Sequence, residues 1–544
     1  MEHALENYGS RTGIIVGIIA FFLVRLFIGW WASRKVTDAA DFVVAGRGLP
    51  IYMTASSIMA TWFAGETLMG ASAAAYKFGF QGVIFDPFGA VLCLLVSGVF
   101  FIRLMRRARY MTVVDFFEKR FGPQVGLIGS VVQLVTYFTW TAAQIVGGGH
   151  ILHALLGWDV WVGMTVIGVT VTLYTTLGGM LADTLLDFIQ MFFTAAGISA
   201  VFFYVLKEVG GWDGLMQSGC QAGVDPFAMF PVAESGYLGY TGWMGWLYWS
   251  SAWLTVGLGS VATQDLMQRS MSARNEATSV WGSYFAAILY FTFGVMSPLV
   301  GIMVYKLNPN IAPEHIDSLL VETSIAYLPR FINILFIAAM TSALMSTSDS
   351  SILAGASVVT ENILPYFKKN IDERMQLRWT RIMVLVIGFI SILVGAIIGE
   401  TYRLAMISWS VLLVGLFAPF ACGMYWKKAN RSGALASCIS GFVTWAVLVV
   451  YFLKDTKGNN VVNGEVDIVE AIWDAVYIAS TPAFLVSFAL MIGVSLMTQK
   501  SDPPLPLTDV DGKPLELDRR LGVVPIGDIF KPDEAPLVTP SEAT

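Results

Sequence analysis

Apolar runs of about twenty residues follow one another along almost the whole chain, separated by short polar loops. A helix rises 1.5 Å per residue, so each run is long enough to cross the ~30 Å hydrocarbon core of a bilayer. Thirteen such spans are expected, at 13–31, 51–76, 80–102, 123–153, 158–179, 184–206, 242–264, 281–305, 331–364, 380–399, 402–426, 432–453 and 470–497. Composition agrees, with 56% of the 544 residues hydrophobic and 13% charged. No soluble domain of this size has that balance. The chain reads as an all-α, multi-pass membrane protein. The segment 13–31 lacks a small-residue cleavage site and reads as a retained helix.

Charge orients the spans. Alternate loops and the C-terminal tail hold 24 of the 33 Lys and Arg residues, among them Arg103, Arg106, Arg107 and Arg109. The positive-inside rule makes that side cytoplasmic, with the N-terminus outside. The expected location is the plasma membrane, or the inner membrane of a bacterium. The tail, 501–544, carries eight prolines and little apolar periodicity, so it reads as disordered. The four cysteines and four histidines show neither a disulfide framework nor a metal spacing. With no nucleophile or metal cluster visible, no enzyme activity, no organic cofactor and no nucleic-acid partner are expected. Membrane lipid is the surroundings.

Within 331–364 lies an exceptional stretch, TSALMSTSDSSILAGAS, from Thr341 to Ser357. Ala343, Ser346, Thr347 and Ser350 are spaced to share one helix face, with Asp349 at its edge. Hydroxyl oxygens beside a carboxylate suit a hard cation. The plainer reading is close helix packing, with hydroxyls bonded back to carbonyls. Six acids fall at membrane depth: Glu66, Asp86, Asp183, Asp187, Asp265 and Asp349. Asp183 reads as solvated near a span end, Asp265 as either solvated there or functional, and Asp187 as deeper. No Lys or Arg is evident at matching depth, so cations from solution are the expected compensation. Trp62 and Trp140 offer aromatic faces that suit organic cations, although most membrane tryptophans pack or anchor.

Two spans are interrupted by small and polar residues at matching places, SSIMATWFAGETLMG from Ser56 and VGLGSVATQDLMQR from Val256. Paired interruptions point to a transporter built from two inverted repeats, 51–206 and 242–426. Residues 1–50 then form an extra N-terminal helix and loop, 207–241 an outer loop, and 427–500 two further helices.

TWFAGETLMGASAAAYKFG, TLYTTLGGMLADTLLDFIQ, QDLMQRSMSA and SALMSTSDSSIL occur in an order and spacing that resemble the sodium/solute symporter family. The resemblance covers about 41–430. It implies a five-plus-five helix core, with broken first and sixth helices, that moves a small organic solute with Na+ by alternating access. By position it implies a sodium site from the carbonyls of Ala60, Phe63 and Ala343 and the hydroxyls of Ser346 and Thr347. A second sodium site would use Asp187, Ser346, Asp349 and Ser350. The solute site would be lined by Trp62, Glu66, Thr67, Asp86, Trp140, Thr263 and Gln264. Sugar-carrying members have Gln and Asn where this chain has Thr67 and Thr263, which argues against a sugar. Choline-carrying members share the most local text. A cationic or zwitterionic amine such as choline is therefore expected, with an amino acid such as proline or a monocarboxylate as alternatives. A sodium channel or a membrane sensor is the rival from another class.

Overall fold

A computed structural model describes residues 39–368, 372–399, 401–462, 465–515 and 521–531, with isolated positions between 16 and 34. The expected first span, 13–31, lies largely outside the described residues, as does the tail beyond 531. Apart from a two-residue antiparallel ladder pairing Val461–Val462 with Glu465–Val466, the regular structure is helical. Nine helical stretches among the described residues are long and apolar enough to cross a membrane. The other expected spans are where the chain is interrupted or shorter.

The span expected at 51–76 divides into α1, Ile51–Trp62, and α2, Ala71–Phe78. Phe63 (φ −82°, ψ 68°) leaves the helix, and a wide π-type turn, Glu66–Gly70, restarts it. Gly65 is closely packed there, since a Cβ would stand 2.7 Å from Leu344 Cδ2 and 3.2 Å from Gln144 Oε1. Backbone groups freed inside a membrane need new partners. Gln144 Oε1 accepts from Gly65 N at 3.1 Å, and the Thr67 hydroxyl donates to Trp62 O at 2.9 Å.

An amphipathic surface helix, α3 (Val113–Phe121), is capped by Thr112 and Asp115. It leads into α4, Pro123–Leu156. The spans expected at 158–179 and 184–206 join in one helical run, α5, Val160–Glu208. Its apolar first part, Val160–Thr176, is shorter than a full span. The span expected at 242–264 is also broken, into α6, Gly242–Gly257, and α7, Gln264–Ser272. Thr263 is extended (φ −75°, ψ 142°), and the Gln133 amide donates to the freed Ala262 carbonyl at 2.6 Å. Then come α8 (Glu276–Gly294), α9 (Arg330–Val358), α10 (Thr401–Leu412), α11 (Arg431–Asn459) and α12 (Ile468–Met497). The hydroxyl-rich stretch lies wholly on α9 and its side chains are buried.

The tail departs from the disorder expected of it wherever it is described. Leu505 O accepts from Arg120 at 2.6 Å, Leu521 O from Arg103 at 3.1 Å, and Val524 O from Trp281 at 2.9 Å. Gly522 N donates to Val99 O at 2.7 Å. Composition pointed to disorder because a segment poor in apolar periodicity builds no core of its own. Here arginine and tryptophan side chains and the Val99 carbonyl supply the partners, through bonds to the tail's backbone.

Candidate functional site

The two helix breaks face each other. Trp62, the last residue of α1, donates its indole N–H to Asp265 Oδ2 at 2.9 Å. Asp265 is the second residue of α7 and also accepts from the Tyr137 hydroxyl at 2.8 Å. Its backbone N–H returns to the same hydroxyl at 2.9 Å. The indole of Trp62 lies 6.1 Å from that of Trp140, and Trp140 lies 5.9 Å from Trp409 of α10. Above this aromatic wall are two acids. Glu66 Oε2 accepts from the Gln144 amide at 2.6 Å, and Asp86 Oδ1 accepts from the Tyr290 hydroxyl at 2.7 Å. Thr67 lies 2.5 Å from the same hydroxyl. Trp62, Glu66, Asp86 and Trp140 are each 2% exposed or less, so this chamber of acids and tryptophans is shut off from solvent.

Several polar atoms here are buried without a hydrogen-bond partner: Glu66 Oε1, Asp86 Oδ2, and the indole nitrogens of Trp140 and Trp409. Thr263 is at the second break, with its hydroxyl bonded to Ser260 O at 2.9 Å. Gln264 is committed elsewhere. Its Oε1 accepts from Val113 N at 2.7 Å and its amide donates to Met111 O at 3.3 Å, tying α7 to the start of α3.

Below the breaks, α1, α5, α7 and α9 meet in a charged cluster. Asp187 of α5 accepts from Ser57 at 2.6 Å, Ser346 at 2.6 Å and Gln190 at 3.1 Å. Arg269 of α7 donates to Asp183 Oδ2 at 2.6 Å and to Ser57 Oγ at 2.9 Å, and it also bonds Ser350. This corrects the expectation that the acids lack a basic partner, and with it the solvated reading of Asp183. Arg269 counts by sequence among the loop charges, and its depth shows only in the course of α7 inward from the break. Of the two readings open for Asp265, the solvated one does not hold, since the residue is buried and bonded to Trp62.

Beside this cluster, the Thr347 hydroxyl lies 3.1 Å from Ala60 O and so ties α9 to α1. Phe63 sits at the break and Ala343 one turn before Thr347. Ser350 also bonds back to Ser346 O at 2.7 Å, and its hydroxyl lies 3.4 Å from Asp349 Oδ1. The stripe thus follows the plainer packing reading in part, while Ser346, Thr347 and Ser350 also reach other helices.

Residues 42–441 match the Sodium:solute symporter family. The chain belongs to this family. Curated relatives include the human high affinity choline transporter 1, 24% identical over 78% of this chain and 75% of the relative. The osmoregulated proline transporter OpuE of Bacillus subtilis (strain 168) is 26% identical over 82% of this chain and 90% of the relative. Among solved structures, a Na+-coupled sialic acid symporter in a substrate-bound outward-open state aligns with a TM-score of 0.72 at 18% identity. That alignment covers 89% of this chain and 98% of the other. Mhp1, a nucleobase-cation-symport-1 family transporter, aligns with a TM-score of 0.52 at 12% identity, over 85% of this chain and 95% of the other. The symporter is thus a non-enzymatic, multi-pass membrane protein that moves a small solute with Na+.

Sequence reasoning missed Asp265, Tyr137, Tyr290 and Trp409 as members of the chamber. Asp265 had a signal, its place at the second break. Trp409 had none, being one tryptophan among the 17 of an apolar chain.

Proposed function

We propose that this symporter imports a small organic amine, cationic or zwitterionic, coupled to an inward Na+ gradient. The observation that carries this reading is the pair of buried carboxylate oxygens, Glu66 Oε1 and Asp86 Oδ2, left without partners beside a tryptophan wall. An unpaired buried carboxylate oxygen is costly, and an ammonium group relieves it while its carbon skeleton rests on indole faces. Asp265 adds a third acid at the floor. Two relatives are named for choline and proline, a cation and a zwitterion that share a positive nitrogen.

Sodium would bind where α9 crosses the first break, to the carbonyls of Ala60, Phe63 and Ala343 and the hydroxyls of Ser346 and Thr347. With an ion between them, α1 and α9 are held together and the Trp62 chamber is shaped for solute. Loss of the ion to the cell interior frees α1, and the two repeats, 51–206 and 242–426, rock to release the solute. A second ion would use Asp187, Ser346, Asp349 and Ser350. Trp62, Glu66, Thr67, Asp86, Trp140 and Thr263 would line the solute chamber, while Gln264 closes its inner side. The N-terminus would lie outside and the tail in the cytoplasm, where most of the basic residues are.

Uptake into proteoliposomes under an inward sodium gradient tests the reading. Choline, proline, glycine betaine, lactate and galactose are compared as labelled solutes. Sodium-driven uptake of an amine is expected. Uptake of lactate or galactose with none of any amine would overturn it.

A further inference from the structure

The oxygens proposed for a second ion face a cation that belongs to the chain itself. Arg269 Nη2 bonds Ser350 Oγ and stands 3.8 Å from Asp187 Oδ2. It also holds Asp183 Oδ2 at 2.6 Å, while Arg269 Nε donates to Ser57 Oγ at 2.9 Å. Ser57 in turn donates to Asp187 Oδ2 at 2.6 Å, and Ser346 donates to Asp187 Oδ1 at 2.6 Å. Asp349 Oδ1 lies 3.4 Å from the same Ser350 hydroxyl. The side chain of Arg269 is wholly buried, and those of Asp183 and Asp187 are 5% and 1% exposed. In so buried a cluster charges interact strongly and dissolved salt screens them little. A hard cation takes its oxygen ligands at roughly 2.3–2.6 Å. An ion on Asp187 and Ser350 would therefore sit within a few ångströms of Nη2, where like charges repel. Ion and guanidinium compete for these oxygens.

Arg269 also reaches toward the solute chamber. Its Nη1 donates to Asp265 O at 3.4 Å, one turn back along α7. The Asp265 carboxylate accepts from the Trp62 indole at the chamber floor. Asp183, Arg269, Asp265 and Trp62 thus form an unbroken series of contacts from the ion cluster to the aromatic wall. The helix that carries Arg269 and Asp265 is only nine residues long, Gln264–Ser272, and it begins at the second break. A short rigid element held at one end by Arg269 and at the other by Asp265 transmits a displacement of either.

We propose that Arg269 is a tethered cation that competes with the second Na+ for Asp187 and Ser350, and that its displacement by the ion shifts α7 and, with it, the Asp265–Trp62 floor of the solute chamber. Arg269 is then the positioning residue through which this ion and the solute are coupled. The proposal rests on the reading that a second ion binds at Asp187.

The test uses the full-length symporter purified in detergent, with NaCl titrated against KCl at constant ionic strength and melting temperature as the first readout. Arg269→Met combined with Asp183→Asn removes the tethered cation and its directly bonded acid together, so the formal charge of the cluster is unchanged. The half-stabilising sodium concentration should fall about tenfold, as it must if the guanidinium fills the site roughly nine-tenths of the time. Adding Asp187→Asn should abolish that gain. Arg269→Lys keeps a tethered cation and should keep the wild-type sodium demand. Asp183→Asn alone is the second route, should the double variant not fold. It leaves the guanidinium to Asp187, so the sodium midpoint should rise. A merely structural role for Arg269 would lower the melting temperature in both salts and leave the sodium midpoint where it was. Amide exchange followed by peptide mass analysis is the second readout. Sodium should change protection across 259–272 in the wild type but not in the double variant. An unchanged or higher midpoint in the double variant overturns the proposal, as does an unchanged midpoint in Asp183→Asn or a wild-type α7 whose exchange ignores sodium. Asp187→Asn alone separates the possible failures. If it weakens the sodium response, the second ion stands and only the competition falls. If it leaves that response unchanged, the second ion and the proposal fall together.

Discussion

Arg269 Nη2 lies 2.6 Å from Asp183 Oδ2 and 3.8 Å from Asp187 Oδ2, with all three side chains buried. One guanidinium thus faces two acids on the same helix, one turn apart. Asp183 takes the direct bond, while Asp187 is held by Ser57, Ser346 and Gln190. The cluster joins the inner half of the second broken helix to α1, α5 and α9.

Removing the cation should be costly. Arg269→Met leaves two buried carboxylates without a base and is expected to destabilise the fold by about 3–5 kcal/mol. Asp183→Asn added to that variant should recover part of the loss. Thermal melting of detergent-purified protein decides it, and a single variant as stable as wild type would show that the pair holds nothing together.

Asp187→Asn addresses the second ion. If Asp187 ligates Na+, the neutral amide should reduce the steepness of sodium activation while leaving protein yield intact. Initial uptake rates across a sodium series measure this. An unchanged stoichiometry would reassign Asp187 to holding α1, α5 and α9 together.

Thr347→Ala tests the proposed first ion. The hydroxyl bridges to Ala60 O at 3.1 Å and is one of five expected oxygens. Its loss should cost about 1–3 kcal/mol, or roughly 5- to 150-fold in sodium half-saturation. Wild-type sodium dependence in both Thr347→Ala and Ser346→Ala would remove this assignment.

How much of this was legible differs by element. The apolar runs and the hydroxyl stripe follow from one-dimensional patterns, and α9 is helical where that spacing requires it. The breaks at Phe63 and Thr263 were marked by small and polar residues inside apolar spans. Their consequences were not legible, because a break redirects whatever follows it. Arg269 read as a loop residue and stands instead in a buried acid cluster. Gln264 read as solute-facing, yet its amide holds the backbone of Met111 and Val113. Partnerships across more than a hundred residues, such as Trp62 with Asp265, leave no local signature.

Glu118 on α3 gives a pH dependence outside the membrane. Burial, reinforced by the charge of Asp115, raises its carboxyl from 4.5 to about 7. The folded state therefore binds more protons than the unfolded state between these values, so stability falls as pH rises through that window. Glu118→Gln should flatten this part of the profile. Melting temperatures from pH 4.5 to 8 provide the check, and an identical slope in the variant would assign the dependence to other groups.

The docked tail makes the last prediction. Gly522 lies so close to the helical stretch at Gly98 that a Cβ would stand 1.9 Å from Gly98 O, a backbone atom that has no rotamer with which to yield. Around it, Gly522 O accepts from Tyr284 at 3.0 Å, and the Asn275 amide donates to Lys531 O at 2.7 Å. Gly522→Val should therefore lift 521–531 from the helix ends while leaving the earlier segment in place, where Asp502 accepts from Ser432 at 2.7 Å and Leu505 O from Arg120. Each released bond is worth only about 1 kcal/mol, so the rest of the fold should survive. Hydrogen exchange followed by peptide mass analysis distinguishes the two stretches. Lost protection at 521–531 with retained protection at 502–510 is the expected result. Unchanged exchange in both would mean that 521–531 is not held by this contact.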